Sequence, residues 1–335
     1  MFCVVARPAD ITPDAAPADT DEPWFAIVNP RAGRSRRNAH AWTSMQAALR
    51  GAGVRFDVAM TAGPGDGARL ASTAWAEGRR RFLVAGGDGS AHDVVNGLMQ
   101  AQDEPGRKER PRGLPTLVPL PLGTGNDWAR SLQLPSSPAR LAQIIRRDRA
   151  VPHDVGRIDF PLAADSTRAS CWFINVAGAG FDAHVIERMP AQTPSGPAYL
   201  LGALRELGRY RAPRFTIHAG APEDTPITGR MLLAFVANGR YCGGRMLVAP
   251  EARQDDGAFD VVTIDDLGRL RALPKLLKLY TGRLQGDPVV RHRVTGSVLI
   301  DSLPRAGVEA DGQRVGQTPA RFTVCAGALQ VLRGN

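Results

Sequence analysis

Cysteine is scarce. Cys3, Cys171, Cys242 and Cys325 are far apart in 335 residues and form neither a disulfide framework nor a metal- or redox-type pair, so each reads as a small core residue. Aromatics make up 6% and do not alternate with the basic runs. That argues against a single-stranded nucleic-acid binder, which needs stacking platforms. No apolar run approaches the ~20 residues of a membrane-spanning helix. The opening MFCVVARPAD has too short an apolar run, and no basic start, for a secretory signal. The expected location is therefore cytoplasmic. Acidic residues fall short of basic ones, leaving a net charge of +9 carried almost wholly by arginine. This excess reflects either genome base composition or a basic face for an anionic partner. At an anionic membrane surface each basic residue contributes ~1 kcal/mol. The chain has no internal repeat, no P-loop ending in Lys-Ser/Thr and no GxGxxG fingerprint.

What is present suggests about two domains, at ~150 residues each. Residues 1–22, rich in Pro, Ala and Asp, are expected to form a disordered tail. From residue 23 to about 150, strand and helix signals alternate. WFAIVNP, VRFDVAMT, RFLVAGG and LPTLVPLPLGTGN read as strands; Arg37–Gly51, Asp66–Glu77 and His92–Gln100 read as helices. Such alternation predicts a parallel sheet with helices on its faces. From VPHDVGRIDF onward, residues 151–323, short β-like runs separated by turns predict an antiparallel β-sandwich. Two helices interrupt it, Ala198–Leu207 and RALPKLLKLYTG at Arg271–Gly282. The latter carries a leucine stripe beside basic residues, read either as a membrane-docking face or as an ordinary half-buried helix.

Three glycine-rich turns fall at the predicted C-terminal strand ends: NPRAGR (Asn29–Arg34), GGDGSAHD (Gly86–Asp93) and PLGTGND (Pro121–Asp127). Ligands of parallel sheets bind outside those ends. Glycine there lets the backbone approach phosphate, and backbone N–H groups with a helix N-terminus attract it. Asp88 is the sharpest residue, because a carboxylate beside phosphate makes sense where it meets Mg²⁺ or takes an acceptor proton. Its alternative role is capping the following helix. His92, Asn126 and Asp127 carry the same two readings, phosphate or acceptor contact against helix capping. Asp255 and Asp256 in ARQDDGA pair carboxylates with backbone carbonyls in a way that suits a hard cation, or simply form a turn.

GGDGS, then VVNG, PLGTGND and YCGGRMLVAPEARQDDGAFDVV, resembles the diacylglycerol kinase catalytic-domain family, which includes bacterial diacylglycerol and lipid kinases with sphingosine and ceramide kinase relatives. NPRAGR, FINVAGAGFDAHV and EADGQRVGQTP extend the resemblance from about Trp24 to about Leu332. It implies a phosphofructokinase- and NAD-kinase-like α/β domain followed by a β-sandwich, an active cleft between them, and a C-terminal strand near 324–333 packing back on the first domain. It implies ATP phosphates against Asn29, Gly33, Gly86, Gly87, Asp88 and Gly89, with Thr61, Ser90, Ala91, His92, Gly123, Thr124 and Asn126 completing the nucleotide set. A structural Mg²⁺ is implied at Asp256, helped by the carbonyls of Arg253 and Ala258. The implied reaction is transfer of the ATP γ-phosphate to a lipid hydroxyl. The expected partners are a lipid substrate, the anionic inner face of the membrane as a peripheral docking surface, and a second copy in a homodimer, with no nucleic acid. Weak or lost catalysis and a soluble acceptor of the NAD-kinase type are the rival readings.

Two departures stand out. GGDGS replaces the family's GGDGT and keeps the hydroxyl. The late turn reads Asp311-Gly312-Gln313 where bacterial members have Asp-Gly-Glu, and a glutamine cannot take the proton that the family assigns to that glutamate. Asp88 is then the first candidate base, with Asp311 and Glu309 next.

Overall fold

The computed structural model describes residues 22–33, 35–103, 113–160, 170–188, 202, 205–221, 223–268, 275, 278, 282, 284 and 286–334. The expected tail at 1–22 lies outside them but for Glu22, whose carboxylate accepts the Arg80 N–H at 2.8 Å. The helices expected at 198–207 and 271–282 also lie mostly outside. Of the latter, Lys275 and Lys278 both pair with Asp287.

In chain order the elements are β1 (Trp24–Val28), α1 (Ser35–Gly51), β2 (Phe56–Met60), α2 (Asp66–Ala76), β3 (Arg81–Gly86), α3 (Asp88–Asp103), β4 (Thr116–Pro121), α4 (Asp127–Ser131), α5 (Pro138–Arg147) and β5 (Ala150–Asp159). There follow β6 (Ser170–Phe173), β7 (Val176–Gly180), α6 (Phe181–Arg188), β8 (Arg214–Ala219), β9 (Ile227–Ala237), β10 (Tyr241–Cys242) and β11 (Met246–Leu247). The last are β12 (Phe259–Asp265), β13 (Val290–Thr295), β14 (Ser297–Leu303), β15 (Gly307–Ala310), β16 (Gln313–Gln317) and β17 (Ala320–Leu332).

The chain folds as two compact units. The first comprises residues up to Gly123, Leu132–Asp154 and Cys325–Asn335. Its sheet is parallel, in the order β17-β4-β3-β1-β2. β3 is buried at every position, and β1 and β4 at all but one each, as befits strands covered on both faces. Parallel pairing brings the C-terminal ends of β1, β3 and β4 to one edge, where the three glycine turns begin. α3 starts four residues before the predicted His92, because Gly87 O accepts the N–H groups of both Ser90 and Ala91 and closes the first turn there.

The second unit holds Thr124–Ser131 and Val155–Val324. It is antiparallel throughout. β9 belongs to two layers: its first residues pair with β8, and Leu233–Ala237 pair with β7 and β12. One layer runs β16-β15-β7-β9-β12-β13, the other β9-β8-β14-β17. Phe173, Phe215, Phe259 and Phe322 fill the main core between them, and the Phe173 ring stacks on Phe259 at 5.4 Å. A second apolar cluster packs α6 residues Phe181 and Val185 against Leu232 and Phe235. Burial pushes the Cys171 thiol up to about 12 and raises Cys242 as well, so neither is a reactive thiol. No helix among the described residues is long and apolar enough to cross a membrane.

Candidate active site

In the first unit the glycine turns are held by specific close approaches. Gly86 ends β3, and a Cβ there would lie 2.4 Å from Ser90 Oγ. A Cβ on Gly87 would lie 3.2 Å from the Gly123 Cα, so the second and third turns meet closely there and a side chain would push them apart by a few tenths of an ångström. The Leu122 N–H donates to Gly86 O at 3.0 Å and locks that contact. Asn29, just past β1, donates from Nδ2 to Ser90 Oγ at 3.0 Å, while its Oδ1 accepts the Arg31 N–H at 2.9 Å. All three sequence turns are thereby tied together at one sheet edge.

Beside them is a cleft of about 230 Å³ lined by Asn29, Arg31, Thr61, Gly63, Ser90 and Asp93 among others. Thr61 is fixed there by its N–H to Val28 O at 2.9 Å. The loop after it is shaped by Asp66, whose Oδ2 accepts the Ala62 N–H at 2.7 Å. That bond, followed by Arg69, lowers the Asp66 pKa. Sequence reasoning missed this loop and the Arg31 side chain, although Gly63-Pro64-Gly65-Asp66 is a plain turn signal. Asp88 is the first residue of α3 and half-buried, at the positive end of the helix dipole. Gly33, in the left-handed region at φ 68°, lies two residues before the start of α1. Ala91 and His92 are buried in α3 and do not line the cleft. The Ser90 and Ala91 N–H groups are spent on Gly87 O, which leaves Ser90 to act through its hydroxyl.

The remaining sequence candidates sit in the second unit. Thr124 is exposed, and Asn126, at φ 54°, gives its carbonyl to the Arg130 N–H as α4 begins. Asp127 is buried and accepts from Gly244 N–H at 2.7 Å, Arg245 N–H at 2.9 Å and the Arg130 guanidinium. Gly243, Gly244 and Arg245 all have positive φ, and the N–H groups of Gly244 and Arg245 converge on the carboxylate. Asp127 braces the Gly243–Arg245 loop against α4.

Asp311 and Gly312, at φ 49° and 83°, form the two-residue turn of the β15–β16 hairpin. Both Asp311 oxygens are occupied, accepting the Ile174 and Asn175 N–H groups at 3.1 and 2.9 Å. Asn175 continues the network: its Nδ2 donates to Tyr241 O, and its carbonyl accepts from Asn238 and Gly239. Gln313 opens β16 half-exposed, with no side-chain hydrogen bond among the described residues. Glu309 is buried and accepts the Gly312 N–H at 2.8 Å, bracing the same turn.

Glu309 and Asp182 form a buried carboxyl pair. Glu309 pairs in register with Gly178, where a Cβ would lie 2.5 Å from Asp182 Oδ2; only a bare backbone leaves room for both. Burial raises Asp182 to about 7, and burial together with the Asp182 charge raises Glu309 well above the carboxylate range. Asp182 Oδ2 has no other partner among the described residues, and a carboxyl proton on the pair satisfies it. Because both folded values are raised, their stabilising contribution is complete at low pH and lost as pH rises through about 7. Glu309→Gln removes one titrating group. The fall in stability between about pH 5 and about pH 7 should become shallower by about 1.4 kcal/mol per pH unit. Denaturant unfolding at several pH values checks this, and parallel profiles for the two proteins would refute it.

No group of three or more His, Cys, Asp or Glu side chains able to hold a metal occurs among the described residues. The Arg253–Ala258 turn offers hard oxygen donors instead. Asp256 Oδ1 accepts the Ala258 N–H at 3.1 Å, and Asp255 pairs with Arg253 at 3.3 Å. One or two carboxylates plus carbonyls fit a largely hydrated Mg²⁺.

The family model for the diacylglycerol kinase catalytic domain matches residues 23–158. That for the YegS C-terminal NAD kinase beta sandwich-like domain matches residues 175–333. A probable lipid kinase YegS-like protein of Xanthomonas campestris pv. campestris is 32% identical over 247 residues, 73% of this chain and 74% of its own length. Its Pseudomonas aeruginosa counterpart is 31% identical over 292 residues, 85% and 87%. Among solved structures, a diacylglycerol kinase from Bacillus anthracis str. Sterne matches with TM-score 0.65 at 20% identity, covering 93% of this chain and 97% of that one. Yeast NADH kinase complexed with NADH matches with TM-score 0.52 at 9% identity, covering 94% and 85%. At those identities the solved structures support the fold alone.

Proposed function

Since the chain belongs to the diacylglycerol kinase catalytic-domain family of YegS-like lipid kinases, and is thus a phosphotransferase with an alcohol acceptor, we propose that it moves the γ-phosphate of MgATP to a membrane-lipid hydroxyl. The observation that carries this reading is the convergence of three glycine turns at one parallel-sheet edge, directly ahead of the α3 N-terminus. That edge supplies backbone approach, the Asn29 and Ser90 side chains, the Arg31 and Thr61 walls of the cleft and a helix dipole, the elements that hold a polyphosphate. The acceptor oxygen attacks the γ-phosphorus in line, ADP leaves, and the acceptor proton passes to Asp88. Asp311 and Asp127, with their oxygens committed to backbone N–H groups, brace loops of the second unit. Asp256 with the carbonyls of Arg253 and Ala258 would hold a structural Mg²⁺, and Mg²⁺ on the nucleotide would neutralise phosphate charge. We place the reaction at the inner face of the membrane, with the enzyme peripherally bound.

The test is transfer of label from γ-labelled ATP into a panel of diacylglycerol, sphingoid base and ceramide in mixed micelles, with NAD as a soluble acceptor alongside. Labelled lipid supports the reading and names the acceptor; label in NAD alone overturns it. Gln313 favours slow turnover, because it leaves the late turn without a proton acceptor. Gln313→Glu should therefore raise kcat by about 10²-fold, the lower end of what general base catalysis contributes. An unchanged kcat would mean that Asp88 takes the proton unaided and that a carboxylate at position 313 adds nothing.

A further inference from the structure

The first unit holds another cavity, about 630 Å³, that shares no residue with the nucleotide cleft. One wall is a face of α5. Arg140, Gln143, Ile144 and Arg147 recur at the i, i+3, i+4, i+7 spacing that puts them side by side. Arg149 and Arg333 line it from the segment after α5 and from the chain end. Four arginines thus line one concavity.

The charges of Arg140, Arg147 and Arg149 lack compensation within the fold. No hydrogen bond or ion pair among the described residues engages Arg140, Arg147 or Arg149. The single acid in their run, Asp148, adopts the left-handed conformation at φ 51° and pairs with the buried Arg81 at 2.5 Å. Other arginines of this unit have carboxylate partners, Arg69 with Asp66 and Arg79 with Asp57. Arg140 also sits in the first turn of α5, where the helix dipole disfavours a cation. Like charges gathered in a concavity focus a positive potential. Guanidinium forks match phosphate oxygens bidentately. Ile144 and Val151 give the same cavity an apolar wall for the organic part of a ligand.

We propose that this cavity binds a phosphate-bearing organic anion, either a membrane lipid headgroup or a free organophosphate. The proposal goes beyond the kinase reading and does not depend on which acceptor is used.

The full chain would be tested in the absence of ATP with two probes. One is sn-glycerol 3-phosphate in titration calorimetry. The other is sedimentation with phosphatidylcholine vesicles, with and without phosphatidic acid. Arg147→Gln is compared with Arg146→Gln, an exposed arginine on the same helix that does not line the cavity and whose loss changes net charge equally. Arg147→Gln should weaken binding about tenfold, the worth of one charge-assisted hydrogen bond, while Arg146→Gln leaves it unchanged. Saturable glycerol 3-phosphate binding with this pattern identifies a soluble ligand. The same pattern with phosphatidic acid vesicles alone identifies a lipid headgroup. Binding of neither probe, or equal loss in both variants, overturns the proposal; equal loss would mean diffuse surface charge. Because no turnover is measured, failure here is separate from failure of the kinase reading.

Discussion

Asp88→Asn should lower phosphoryl transfer by about 10²–10⁴-fold, the range typical of losing a positioned base. The substitution keeps size and shape. Asparagine is as acceptable as aspartate around a helix start, so α3 should still begin where it does. Removing one negative charge beside bound phosphate should leave ATP affinity unchanged or improve it. The loss therefore belongs in kcat, with no rise in KM for ATP and no drop in thermal midpoint. Labelled-ATP assays with nucleotide titration separate these quantities. A purely structural Asp88 would instead lower the unfolding midpoint, and a variant with near-native kcat would remove Asp88 from the chemistry.

Asp127→Ala should cost about 3–5 kcal/mol, the usual loss on breaking a buried charged contact from one side. The carboxylate is 3% exposed and satisfies two backbone N–H groups and the Arg130 guanidinium. Without it, the Gly244 and Arg245 N–H groups, held side by side by positive φ, have no acceptor. Asp127→Asn keeps one acceptor oxygen and should lose less. Urea unfolding followed by circular dichroism measures both variants. A loss below about 1 kcal/mol for alanine would show that water replaces the carboxylate, the outcome expected of an exposed pair.

The sheet edge with its glycine turns was legible because its signals are local. RFLVAGGDGS announces a strand, a glycine turn and a helix start within ten residues, and periodicity with glycine placement suffices to read it. The start of α3 was placed late at His92, since helix spacing cannot reveal that Gly87 O already closes a turn. α5 escaped the reading although Ser137 and Pro138 are ordinary helix-start residues. With it went the arginine-lined cavity, which needs α5 and the chain end side by side. Asp127 and Asp311 could be ranked only as candidates. Their partners lie 117 and 136 residues away, and no local pattern marks them. The Asp182–Glu309 pair was invisible for the same reason, since it depends on the β7–β15 register over Gly178.

By itself the sequence determined the α/β-then-sandwich order, the kinase family and the glycine turns, because each is written in period, spacing and residue type over short stretches. Tertiary structure alone decided which carboxylates are committed and which charges go uncompensated. Asp127 and Asp311 were assigned to backbone donors, and Asp182 and Glu309 were packed against each other, where burial raises both pKa values. Asp148 was turned to Arg81, leaving its neighbouring arginines to face a cavity. A carboxylate's chemistry depends on burial and on the groups that meet it, and those are brought together only when distant segments pack.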